Sequence, residues 1–117
     1  MIALATLFIA AASHAAAEAP TGPAVPARAH LVSLITDDDY PPDARAARAE
    51  GVVFFDLAVG PNGRVTNCIV TTSSGSPSLD ATTCRLVTAR ARFTPARNAA
   101  GQPVADRSNG RIRWQLP

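Results

Sequence analysis

An apolar stretch that alternates with period two and runs straight into Gly60-Pro61-Asn62-Gly63 leaves the backbone few choices. In residues 52–59, Val53, Phe55, Leu57 and Val59 are uniformly apolar, whereas Val52, Phe54, Asp56 and Ala58 are mixed. That pattern is a strand buried on one face and partly exposed on the other. The Gly-Pro-Asn-Gly tetrapeptide supplies residues that tolerate positive φ, so the chain reverses in a tight hairpin. Residues 64–71 form the return strand. Cys68 and Val70 share a face there, but Val65 falls on the other, which calls for a bulge near Thr66-Asn67.

Ser73-Ser74-Gly75 breaks that strand, and a helix follows with Ser76 as N-cap and Pro77 at its first position. Leu79, Thr83, Leu86 and Val87 recur at helical spacing and would lie on the sheet; Arg85, Arg90 and Arg92 would point to water. Phe93-Thr94-Pro95 ends the helix, and Phe93 folds back onto the core. Residues 102–116 read as an extended strand interrupted at Ser108-Asn109-Gly110. In its last part Ile112, Trp114 and Leu116 share one face and Arg111, Arg113 and Gln115 the other, which makes Trp114 a core plug. Coming after the helix, this strand would occupy a sheet edge, with unpaired N–H and C=O groups open to another chain.

Upstream, Asp37-Asp38-Asp39 precedes Tyr40-Pro41-Pro42, and residues 43–50 are rich in Ala and Arg. These residues predict a helix of about one to two turns, with Pro42 at its first position, acids favouring its N-terminal dipole, and Gly51 as its C′ residue.

Cys68 on the return strand and Cys84 on the helix are the only cysteines. In an exported domain an even pair is a disulfide; closing a loop of about 15 residues stabilises by roughly 3 kcal/mol. A zinc site would need more ligands, and a redox pair is more often Cys-x-x-Cys.

Export is what the N-terminus indicates. Residues 1–12 are apolar and uncharged, and Ala15-Ala16-Ala17 satisfies the small-x-small rule for signal peptidase, so residues 1–17 read as a signal peptide. The rival is a short retained anchor, since about 17 residues is the lower limit for crossing a bilayer. In the linker over residues 18–38, Pro20, Pro23 and Pro26 recur every third residue, as in a polyproline II spacer. Fully extended, residues 20–39 would reach roughly 60 Å. Residues 31–35 are apolar and fit either a short strand or a helical turn.

In 117 residues with a formal net charge of +2 there is no case for nucleic acid. The charge is uneven, however. Residues 18–56 hold seven acids and three arginines; residues 57–117 hold two acids and eight arginines. Most of these face water; the sharper alternative is a weakly basic face that steers an acidic partner. His14 and His30, the only histidines, lie outside the hairpin-helix unit. No metal, cofactor or catalytic residue is therefore assigned, and no base stands near Ser73 or Ser74 to support an enzyme.

Taken together, Tyr40-Pro41, the alternating residues after Gly51, Gly63-Arg64-Val65, Ser73-Ser74-Gly75 and Leu79-Asp80 form an ordered series. It continues through Arg92-Phe93-Thr94-Pro95-Ala96 and Gly101-Gln102-Pro103-Val104 to Ile112-Arg113-Trp114-Gln115-Leu116. Over residues 39–117 this series resembles the C-terminal domain of the TonB energy-transducer family. The resemblance implies an α+β fold: a helix packed on a three-stranded antiparallel sheet, with a short helix before it.

It also implies a periplasmic module that adds an extended segment of an outer-membrane transporter, or of another envelope protein, to a sheet edge. Carried over by position, the resemblance implies a partner-binding edge of Arg111, Ile112, Arg113, Trp114 and Gln115, with Tyr40-Pro41 near the region that orients the partner. The spacer here is too short to match the long one of full transducers, and membrane contact requires that residues 1–17 be retained. The competing expectation is a structural or self-associating envelope domain without energy transduction, a strand-exchanged homodimer held through the same edge.

Overall fold

The computed structural model describes residues 22–29 and 34–117. The expected signal peptide, Pro20, and most of the apolar run at 31–35 lie outside the described residues.

The elements are β1 (Arg28–Ala29), a 3₁₀ turn (Asp37–Asp39), α1 (Pro42–Ala46), β2 (Gly51–Val59), β3 (Val65–Thr72), α2 (Pro77–Arg90), β4 (Phe93–Thr94), β5 (Ala96–Arg97), β6 (Pro103–Val104) and β7 (Asp106–Trp114). β2 is the centre of an antiparallel sheet of order β3-β2-β7, and α2 covers one face. This is the expected α+β architecture.

The hairpin forms as its sequence requires, with one refinement. Gly63 N–H donates to the Gly60 carbonyl and Gly60 N–H to the Arg64 carbonyl, each at 2.9 Å. Within the turn, positive φ is confined to Gly63 (80°), so Pro61 and Asn62 make a right-handed turn and a left-handed glycine closes it. A Cβ at Gly63 would stand 2.1 Å from the Phe93 carbonyl oxygen, so no other residue fits.

On β3, the pairs Val59↔Val65 and Ala58↔Asn67 leave Thr66 over, which is the expected bulge; it returns Val65 to the face of Cys68 and Val70. A second bulge follows, since Phe55↔Val70 and Phe54↔Thr72 leave out Thr71.

Val53, Phe55, Leu57 and Val59 of β2 are all buried, packed with Leu79, Leu86 and Val87 of α2 and with Phe93. The N-cap of α2 is Ser76, whose hydroxyl accepts from Leu79 N–H at 3.3 Å. Asp80 gathers the preceding turn, accepting from both Ser73 and Ser74 hydroxyls and from Ser74 N–H. Burial pushes its carboxyl up, but those hydrogen bonds outweigh burial and leave it below its ordinary value.

Two expectations about glycine are corrected. Gly51 does not end α1: the helix stops at Ala46, Arg48 takes the left-handed conformation (φ 55°), and Gly51 opens β2. Glycine is needed there because a Cβ would lie 2.5 Å from the Ser74 carbonyl oxygen. Nor is the last strand broken at Ser108-Asn109-Gly110, because β7 runs through it in pairing with Leu57, Asp56 and Phe55. Gly110 makes room for the Phe55 ring, which a Cβ would approach to 3.2 Å.

The proline-containing segment does not lead directly away from the domain. Arg28 and Ala29 pair with Thr94 and Phe93, Val25 bridges to Arg97, and Ala27 N–H donates to the Asp106 carboxylate at 3.0 Å.

Candidate functional site: the outer edge of β7

β7 pairs with β2 over nine residues, from Val59↔Asp106 to Gly51↔Trp114, without a register shift. Among the described residues no strand pairs with its other side. The opposite edge, β3, is interrupted by its two bulges, a common way of blunting a strand edge. One straight edge and one broken edge therefore flank the same central strand.

The far end of β7 is locked in place by buried aromatics. Trp114 is 3% exposed, and its indole N–H donates to the Thr83 hydroxyl at 2.7 Å; that hydroxyl in turn donates to the Leu79 carbonyl at 2.7 Å. The Trp114 ring meets Tyr40 edge-on, with centroids 5.2 Å apart. Tyr40 O–H donates to the Ala49 carbonyl, and the Arg45 guanidinium lies over the Tyr40 ring at 5.2 Å. Burial, and then the charge of Glu50, raise the Tyr40 hydroxyl above its ordinary value, against the opposing effect of Arg45. Glu50 also accepts from Leu116 N–H at 2.7 Å, just beyond the strand.

The residues nominated from sequence thus divide into two groups. Arg111, Arg113 and Gln115 are exposed and available, while Ile112 is half-buried on the helix side. Trp114, Tyr40 and Pro41 are buried; the Trp114 and Tyr40 side chains position the end of β7, and Pro41 precedes the first turn of α1. Thr83, which holds the Trp114 indole, carries only a packing role in the helical pattern; a hydroxyl among buried leucines is the signal that could have found it.

Cys68 and Cys84 are joined (S–S 2.03 Å, Cα–Cα 5.6 Å). The bridge ties α2 to β3 and so reinforces the edge away from β7. A second tie fixes the segment before the fold: Arg90 makes paired contacts of 2.7 and 2.9 Å to Asp39 and also donates to the Leu34 carbonyl. The Arg90 hydrogen bond, followed by Thr36 N–H, holds the Asp39 carboxyl well below the usual carboxylate range. The helical pattern directs Arg90 to water alone; it is exposed but paired.

Among the described residues, no helix is long and apolar enough to cross a membrane.

What these residues define is a small α+β module with one sheet edge stapled and broken and the other unbroken in register and, among the described residues, unpaired with any further strand. The family model for the Gram-negative bacterial TonB protein C-terminal matches residues 37–116, and the chain belongs to that family. No curated protein matches it. Domains of this family are periplasmic, interact with outer-membrane transporters and serve TonB-type energy transduction.

Proposed function

We propose that this chain is a periplasmic protein-binding module that captures an extended segment of an outer-membrane transporter, or of a related envelope protein, by strand addition along β7. The observation that carries the reading is the nine-residue β7 edge, unbroken in register and anchored at Trp114, opposite a β3 edge that bulges twice. Main-chain hydrogen bonds along such an edge supply affinity, and the alternating side chains supply selectivity. A fixed edge also lowers the ordering cost of binding, because only the incoming segment must become extended.

Titration of the full chain with a plug-proximal transporter peptide, followed by backbone NMR, tests this. Amides across 106–114 should shift, and alternate ones should exchange more slowly with solvent, while β3 amides stay largely unchanged. Binding that leaves β7 unperturbed would sink the proposal.

A further inference from the structure

We infer that the captured segment carries carboxylates on alternate residues, placed to meet Arg107, Arg111 and Arg113. This inference rests on the strand-addition reading and specifies the partner's chemistry at that edge. On the sheet face away from α2, β7 presents Arg107, Asn109, Arg111 and Arg113, all exposed. Their cross-strand neighbours are Ala58, Asp56, Phe54 and Val52. The acid in that row, Asp56, stands opposite Asn109 and not opposite an arginine. Among the described residues none of the three guanidiniums has a side-chain partner, although Arg90 on α2 is fully engaged. A strand added outside β7 would place every second side chain beside this row, with successive ones about 6.5–7 Å apart.

The intervening side chains would face the helix side. There β7 offers Ser108, Gly110 and Ile112 beside an apolar cleft of about 60 Å³, whose walls include Leu34, Val87 and Phe93. Small or apolar residues suit those positions. The partner pattern is therefore acidic and apolar in alternation, with a neutral residue tolerated opposite Asn109.

The same row argues against a second copy of this chain as the occupant. Antiparallel pairing of two β7 edges about Gly110 sets Arg113 against Arg107 of the other copy, and pairing about Arg111 sets that arginine against itself. Like charges directly opposed across a ladder are destabilising.

The test uses the oxidised full chain and three synthetic peptides sharing one set of apolar residues, with Glu, Gln or Lys at the alternate positions. With each exposed pair contributing roughly two- to threefold, the Glu peptide should bind about tenfold more tightly than the Gln peptide, and the Lys peptide most weakly. That advantage should collapse between low and high salt, and R111E/R113E should invert the order. If the double variant fails to fold, the Glu-to-Gln ratio on the natural chain still decides. Equal binding of all three with β7 amides shifted would overturn the inference and leave strand addition standing. No β7 shift with any of them would remove strand addition itself. Binding to vesicles of anionic lipid in place of the Glu peptide would assign the arginine row to a membrane surface and overturn the inference.

Discussion

At the scale of single residues, the Trp114–Thr83 hydrogen bond matters most for the site. An indole N–H buried without an acceptor costs about 1–3 kcal/mol, more than the bond's net worth when both partners are present. Valine in place of Thr83 keeps the shape and removes the acceptor, and it also frees the Leu79 carbonyl from its extra donor. T83V should therefore lose more than T83S in urea unfolding, up to about 3 kcal/mol, whereas T83S keeps the hydroxyl and should lose about 1 kcal/mol for one buried methyl. If T83V proved as stable as T83S, the hydroxyl would have no role in anchoring β7. The same anchor explains why Tyr40 and Trp114 belong with the site although neither is available to touch a partner: they fix where the edge ends.

At the scale of elements, the 3₁₀ turn and α2 are joined by an ion pair whose pH dependence has a definite sign. Asp39 has a folded-state pKa below its unfolded value, so its contribution is fully present above the ordinary carboxylate range, about pH 4, and is lost as pH falls through and below it. Arg90 stays charged throughout. D39N should be less stable than the natural chain near pH 6, and the gap should narrow steadily as the pH falls below about 4, since the unfolded chain's Asp39 takes up its proton while the folded carboxylate is still held by Arg90. Because the pair is exposed, added salt should narrow the gap at neutral pH as well. An equal gap near pH 6 and below about pH 4 would show that the aspartate acts through shape and not charge.

Elements also differ in how much of their structure is legible in the sequence. Period two in β2, the Ser76-Pro77 start of α2 and the displaced parity of Val65 each follow from the chain's local chemistry, and each is readable there. The roles of Gly51 and Gly110 are not, because their reason lies across the fold, at the Ser74 carbonyl and the Phe55 ring. A glycine needed for close approach looks the same in sequence as one that ends a helix or breaks a strand. The pairing of β1 with β4 leaves no pattern at all, since two residues are too few for a period. Alternation sets Trp114 on the core face with Ile112, in tension with its nomination as a contact residue, and burial resolves that tension in favour of the core.

For the whole molecule, the disulfide and the proposed binding edge lie on opposite sides of one sheet. The disulfide closes a separation of 16 residues between β3 and α2, and its stabilisation is about 3 kcal/mol through the unfolded chain's lost freedom. A domain of this size has little stability to spare, so reduction should move the urea midpoint sharply downward. The open edge is elsewhere: β7 is held by nine pairs to β2 and by Trp114 under α2, none of which involves a cysteine. The reduced chain, held at a temperature where circular dichroism remains native, should therefore bind its partner peptide within about twofold of the oxidised chain, because the main-chain donors and acceptors of β7 are unmoved. Loss of binding with the fold intact would place β3 or its bridge in the binding face and reverse the assignment of the two edges. Retained binding with lowered stability would separate the staple from the surface it supports.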